Sequence, residues 1–400
     1  MNNETRKETQ VLPKDVRCVG ADDLTLPLFE NQYPVQPMGV SYNSYLILDE
    51  KIAVMDSVDA RAADEWLAKL AHELDGRRPD YLVISHMEPD HSGSILRLAE
   101  KYQEMKLVGN TKTFTMLRQF FGAKAPTDDR LLEVGEGETL PLGAHTLHFM
   151  LAPMVHWPEV MVAYEETEKL LFSADAFGRF GALSRTANAP WAPQARRYYY
   201  NIVGKYGAQV QALLKKASAL EIKTVCPLHG PVLTGEALGE ALRLYDLWSR
   251  WQSEAPEEIL LAHASIHGNT ARAAELLKQK LEAKGARVTL CDLTTTEVSY
   301  AVANAFYCGK LVLACSTYDG GLFPPMEEFL THLQAKGFRD RSVGLMENGS
   351  WAPAAARLMR ARLEEMKDLR VCGTVVSLRS ALSPASEAQM EALSAELCAE

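Results

Sequence analysis

The sequence predicts a two-part α/β chain: stacked sheets with helices outside in the first part, and a doubly wound parallel sheet in the second. Three observations predict it. The 400 residues exceed the usual length of a single domain. Up to about residue 250, short apolar runs alternate with turn residues, and helical patterns intervene only in places. From residue 259 the pattern changes to regular strand–helix alternation.

In the first part, "SYLILD", "KIAVMD", "YLVIS", "KLVGN", "LHFMLAP", "KLLFSAD" and "TVCPL" have the length and apolar content of strands. "AADEWLAKLAHEL", "GSILRLAEKY" and the stretch around "AQVQALLKKASAL" repeat apolar residues at helical spacing. The polar, proline-containing "WSRWQSEAPEE" (248–258) marks the expected boundary, with domains over 1–253 and 257–400. Beyond it, the strand "ILLAHAS" leads to the helix "TARAAELLKQKLEAKG", which ends on Gly285 as a C-cap glycine would end it. "RVTLCDL", "KLVLACS", "RSVGLME" and "RVCGTVVS" supply the later buried strands.

Composition excludes several classes. A net charge of −10 with no Lys/Arg block argues against a nucleic-acid partner. No apolar run approaches the ~20 residues that span a bilayer, and "MNNETRKETQVLPKDV" lacks the apolar core of a signal peptide. Seven scattered cysteines without a CxxC predict a reduced, cytoplasmic chain, and they leave no ligands for a rubredoxin-like iron–thiolate module.

The chemistry-bearing cluster of the first part is "HMEPDHSGS" (86–94), between a predicted strand and a predicted helix. His86, Glu88 and Asp90 are spaced by two, so an extended chain points them the same way, and His91 follows at the turn. Taken alone, the cluster fits either a metal site or a capped helix with surface histidines. Three further donors, His156 in "APMVHWPEV", Asp175 in "LLFSADAFGRFG" and His229 in "TVCPLHGP", each follow an apolar strand and sit among Gly/Pro loop residues. Seven donors exceed one tetrahedral ion and suit two ions sharing a carboxylate. The mixture of imidazole and carboxylate suits iron or manganese, and leaves zinc open. His72, His145, His148 and His332 lie in surface-like or alternating stretches and read as structural.

In the second part, "ASIHGNTA" follows a strand and opens a helix, so Ser265, His267, Gly268, Asn269 and Thr270 can surround a phosphate; a plain helix cap is the other reading. The loops "CSTYDGGLFPP" (315–325) and "ENGSWAP" (347–353) leave the same carboxyl edge of the sheet, where such sheets bind ligands. Their candidate contacts are Ser316, Thr317, Tyr318, Asp319 and Gly320, then Asn348, Gly349, Ser350 and Trp351, with Tyr318 and Trp351 placed to flank a flat ring.

The set H-x-H-x-D-H followed by His, Asp and His belongs to the metallo-β-lactamase fold. The form found here, H-x-E-x-D-H with "HWP", "FSADAFGRFG", "YYYNI" and "HGP", resembles the flavodiiron proteins over almost the whole chain. The resemblance implies an N-terminal metallo-β-lactamase-like αββα sandwich followed by a flavodoxin-like domain that binds FMN. By that resemblance, His86, Glu88, His156 and Asp175 hold one iron, and Asp90, His91, Asp175 and His229 hold the other. Asp175 bridges them, and His91 is the ligand that some relatives do without. Tyr199, in "RRYYYNI", is expected near the site or else as a packed aromatic.

The implied activity is reduction of dioxygen to water or of nitric oxide to nitrous oxide. Electrons would come through FMN from an external donor such as rubredoxin, in a head-to-tail homodimer. The competing expectation is a zinc hydrolase with an accessory flavodoxin domain. Glu88 counts against it, because hydrolases of this fold keep histidine there to bind a zinc-activated water. The flavin loops depart from the family pattern at Cys315, Ser316, Asp319 and His267. Asp319 is expected to disfavour an anionic ring nearby.

Overall fold

The structure is a computed structural model that describes residues 12–399. The described residues form two compact units, one of 12–199 and 208–246, the other of 200–207 and 247–399. The second unit thus claims an eight-residue segment that the sequence pattern assigns to the first.

The first unit holds two six-stranded sheets. One comprises β1 (Val16–Cys18), β2 (Tyr45–Ile47), β3 (Ala53–Met55), β4 (Tyr81–Val83), β5 (Lys106–Gly109) and β6 (Leu131–Glu133), in that order. The other comprises β7 (Thr139–Pro141), β8 (Thr146–Leu151), β9 (Met161–Glu165), β10 (Leu170–Phe172), β11 (Thr224–Cys226) and β12 (Leu233–Thr234), again in sequence order. Strand alternation builds the core between the sheets: Ala53 and Met55 from β3 meet Leu170 and Phe172 from β10 in one cluster with Tyr45, Phe149 and Met161. Helix Ala63–Leu74 buries Ala63, Trp66, Leu70 and Leu74, one apolar stripe at helical spacing.

The sequence pattern does not pick out the edge strands β1, β6, β7 and β12, nor the central β9. β9 is buried at all five positions, so it carries no apolar–polar alternation.

The second unit carries a parallel sheet of β13 (Ala255–Ala264), β14 (Arg287–Asp292), β15 (Cys308–Tyr318), β17 (Arg341–Asn348) and β18 (Leu369–Leu378), ordered β14-β13-β15-β17-β18. The short β16 (Gly321–Leu322) folds back on β15 as a hairpin. Its two loop residues, Asp319 (φ +49°) and Gly320 (φ +74°), are both left-handed, as a type I′ turn demands. Helix Asn269–Ala283 packs Ala273, Ala274, Leu277 and Leu281 into the same core as Ile259, Leu261 and Val312. Gly285 at φ +90° follows this helix, as the sequence predicts.

Candidate metal centre and flavin cleft

The metal-ligating candidates converge at the carboxyl ends of β4, β10 and β11, with His156 from the loop between β8 and β9. Four of them (His86, Glu88, His156 and Asp175) place ligand atoms within 4.8 Å of one another, and Asp90, His91 and His229 form a second such group. Asp175 belongs to both by geometry. Its Oδ2 lies 3.0 Å from His156 Nε2 and 3.6 Å from His86 Nε2. Its Oδ1 lies 3.2 Å from His91 Nε2 and 3.7 Å from His229 Nε2. Glu88 Oε2 stands 3.3 Å from His86 Nε2 and 3.1 Å from His156 Nε2, and Asp90 Oδ2 stands 3.2 Å from both His91 Nε2 and His229 Nε2. Donors about 2.1 Å from a common ion are separated by roughly 3.0–3.4 Å, so the spacing fits two ions sharing one carboxylate.

The backbone aims these groups by local rules. Glu88 is the N-cap of the short helix Pro89–Ser92, with proline at its first position, so the chain is extended through Glu88 and turns at Asp90. Ser85 N–H donates to Asp56 Oδ1 at 2.7 Å, and Ser57 Oγ donates to the His91 carbonyl at 2.6 Å, tying the loop to the end of β3. His86 Nδ1 donates to Glu159 Oε1 at 2.7 Å, and the Met87 N–H reaches the same oxygen at 2.9 Å. His229 Nδ1 donates to the Ser41 carbonyl at 2.7 Å. Both contacts leave Nε2 free for a cation. His91 Nδ1 is buried and has no hydrogen-bond partner among the described residues.

Electrostatics supports cation binding. Burial disfavours charge throughout the site, yet the groups raise one another's tendency to ionise. The His86 imidazolium is held well above its usual pKa by Glu159, Glu88 and Asp175 against burial, and His156 is held up at about 9 by Asp175 and Glu88 against the same cost. Glu88 and Asp175 are lowered by the neighbouring imidazoles despite burial. The charges acting most on these carboxylates are thus the imidazoles themselves, and divalent ions could take their place.

Aromatic rings wall the site. Phe29 meets the His229 ring edge-on at 5.4 Å, and Tyr198 lies 5.5 Å from it and 5.2 Å from Phe180. Burial, then the charges of Asp175, Asp90 and Glu88, push the Tyr198 hydroxyl well above its usual pKa, so it stays protonated. Of the two neighbouring tyrosines, Tyr198 meets the His229 ring and Tyr199 packs on Tyr245 at 5.1 Å; Tyr42 meets the same imidazole from another side at 6.1 Å. Buried Arg179 binds the carbonyls of Thr186, Ala189 and Pro190. A Cβ on Gly230 (φ +81°) would lie 2.7 Å from Arg179 Cγ, which fixes glycine beside His229. Asp56, Ser41, Glu159 and Tyr198 are absent from the sequence-derived list. Only Asp56, ending "KIAVMD", carried a sequence signal, being polar at a strand end.

His145 joins Asp15 and Glu165 at 2.8 and 3.0 Å, and His148 joins Glu166 at 2.8 Å, away from either donor group.

In the second unit, a cleft of about 530 Å³ opens at the carboxyl edge of the sheet. Ser265, His267, Asn269, Thr270, Ser316, Thr317, Tyr318, Asp319, Gly320, Asn348, Gly349, Ser350 and Trp351 line it, as the sequence predicts, joined by Ile266, Ala352 and Ser380. Gly268 is absent from the lining and instead forms the N-cap of helix Asn269–Ala283 at φ +84°, with no side chain capping the helix. The first N–H groups are thereby left for an anion. Asn348 ties the floor together. Its Nδ2 donates to Thr270 Oγ1 (3.3 Å) and the Ser380 carbonyl (3.1 Å), and its Oδ1 accepts from Ser380 N–H (3.0 Å). Trp351 is 89% exposed and Tyr318 also stands open at the rim. Hydroxyls, helix N–H groups and aromatic plates fit a phosphorylated, flat-ringed ligand.

A family model described as "ODP family beta lactamase" matches residues 40–230. The chain is 28% identical to the rubredoxin-oxygen oxidoreductase of Megalodesulfovibrio gigas, covering 87% of each chain. It is likewise 28% identical to the nitric oxide reductase of Moorella thermoacetica, covering 87% of this chain and 88% of that one. Among solved structures, rubredoxin oxygen:oxidoreductase from Desulfovibrio gigas superposes with a TM-score of 0.90 at 25% identity over 97% of each chain. The flavodiiron protein of Giardia intestinalis gives 0.88 at 26% identity over 96% of this chain and 95% of that one. In sequence and in fold the chain is similar to flavodiiron proteins over nearly its whole length. It is an oxidoreductase with a metallo-β-lactamase-like domain followed by a flavodoxin-like sheet. None of its described helices is long and apolar enough to cross a membrane.

Proposed function

We propose that this chain is a flavodiiron protein that reduces dioxygen to water, nitric oxide to nitrous oxide, or both, with a non-haem diiron site on residues 1–253 and FMN on residues 257–400. The observation that carries the reading is Asp175. Its two carboxylate oxygens are divided between the two donor groups, in a chain that also holds a flavin-shaped cleft. When bound, the irons and FMN supply gas binding and electron storage, which match the four electrons of dioxygen reduction and the two needed to couple two nitric oxides.

The protein's own groups bind, orient and enclose. His86, Glu88, His156 and Asp175 would hold one metal, and Asp90, His91, His229 and Asp175 the other. Phe29, Phe180 and Tyr198 keep bulk water from the imidazole edge, and Tyr198 holds a proton at Oη. In the cleft, the open helix terminus and Thr270 would receive the FMN phosphate, and Tyr318 and Trp351 would flank its ring. Electrons would arrive from a donor of the rubredoxin kind, as the name of the Megalodesulfovibrio gigas relative suggests. A head-to-tail homodimer would bring the exposed Trp351 rim of one copy against the metal domain of the other.

The test is anaerobic purification, quantification of iron, zinc and flavin, and reductant supplied with each gas. Two irons and one FMN per chain with rapid uptake of either gas is the expected result. Zinc in the site with esterase or lactonase activity and no gas uptake would overturn it.

A further inference from the structure

We infer that the two metal positions are unequal, and that Glu159 is the positioning residue that makes them so; the inference rests on the diiron reading above. The two donor groups look alike in count, but the groups behind them differ. Behind His86 stands a full carboxylate: Glu159 Oε1 accepts from Nδ1 at 2.7 Å, and both side chains are buried. Glu159 is itself fixed. The same oxygen takes the Met87 N–H, and its backbone carbonyl accepts from Asn110 Nδ2 at 2.6 Å. Its other oxygen, Oε2, is buried with no hydrogen-bond partner among the described residues.

The second group has no such support. His229 is backed by the neutral Ser41 carbonyl, and His91 Nδ1 has no hydrogen-bond partner among the described residues. A carboxylate on the far nitrogen pins the imidazole tautomer and makes the ligand nitrogen more basic; a carbonyl pins it without adding charge. The His91 ring is packed against His86 and His229, but no group hydrogen-bonded to Nδ1 among the described residues fixes its tautomer.

Formal charge alone does not separate the positions: Glu88, Asp175 and Glu159 surround the first, and Asp90 and Asp175 the second, with the buried Asp56 acting on His91 more than on His86. What separates them is the direct carboxylate hydrogen bond, made to His86 by Glu159, whereas Asp56 accepts from the Ser85 N–H. The His86–His156 position therefore binds its ion more tightly, and the His91–His229 position exchanges first.

The experiment starts from the loaded, flavin-bound full chain. It is equilibrated anaerobically against rising EDTA, and iron per chain is measured at each step. The wild type should lose iron in two stages with a plateau at one iron per chain. Asp90→Ala should arrive with one iron and release it at the later stage. Glu159→Gln keeps an acceptor oxygen for the Met87 N–H and should melt like the wild type. Its later stage should nevertheless move to ten- to a hundredfold lower chelator, with the first stage unmoved.

Loss of both irons in a single stage from the two-iron wild type would overturn the inequality while leaving the diiron reading intact. An equal shift of both stages in Glu159→Gln would reduce Glu159 to a structural role and overturn its assignment. Fewer than two irons in the freshly purified wild type would sink the diiron reading and this inference together.

Discussion

His229→Ala gives the most direct access to the site. The His91–His229 position has four donors: Asp90, His91, His229 and the shared Asp175. A four-ligand protein site for a divalent ion is worth roughly 10–16 kcal/mol, so one ligand carries about 3–4 kcal/mol. Its loss should weaken that position by about 10²–10³-fold. The substitution also strips the Ser41 carbonyl of its donor and leaves Phe29, Tyr42 and Tyr198 facing a void, so some loss of stability accompanies it. The assay pairs iron content with gas consumption under excess reductant. The variant should retain about one iron per chain, with turnover abolished and the flavin spectrum unchanged, because the flavin cleft is built from other residues. Two tightly held irons and wild-type turnover in His229→Ala would refute the ligand assignment.

Gly230→Ala forces a Cβ to 2.7 Å from Arg179 Cγ at φ +81°; a destabilisation of about 1–3 kcal/mol is expected in chemical denaturation, with partial loss of iron. Asn348→Leu leaves Thr270, the Ser380 N–H and the Ser380 carbonyl without their partner. FMN affinity should fall about ten- to a hundredfold, read by fluorescence as flavin is released. His145 sets a pH dependence away from both sites. Its hydrogen bond with Glu165, aided by Asp15 against burial, raises its pKa to about 9. Its folded pKa thus exceeds the unfolded value of about 6.5, so the contribution is complete below 6.5 and lost as pH rises through 9. After allowance for the exposed Asp15, about 2 kcal/mol should disappear over that window in the wild type and not in His145→Ala.

Much of the molecule was legible in the sequence because its signals are local. The strands of the second unit are short apolar runs between turns. The metal-ligating candidates stand at strand ends, where polar residues interrupt apolar runs. The flavin loops carry glycines and hydroxyls at the carboxyl edge of a parallel sheet. What escaped detection depends on contacts between distant parts of the chain. Glu159 reaches His86 across 73 positions and Ser41 reaches His229 across 188, and neither has a local pattern that sets it apart. Which of the consecutive tyrosines meets the imidazole was not legible for a different reason. The helix Trp191–Tyr198 passes directly into a π-helical turn at Tyr199–Val203, so helical spacing stops predicting which of three consecutive tyrosines faces inward. β9 was missed because its run, Met161–Glu165, mixes Ala, Tyr and Glu with two aliphatic residues and is too weak an apolar signal to stand out locally.

Arg179 has a consequence for anyone reshaping this pocket. One guanidinium gathers the chain at Thr186, Ala189 and Pro190, while its own stem occupies the space that a side chain at position 230 would need. The segment 186–190 is therefore tied, through Arg179, to the backbone beside His229. Variation at 186–190 and retention of the metal are not independent choices, and libraries built there should be screened for iron before they are screened for turnover.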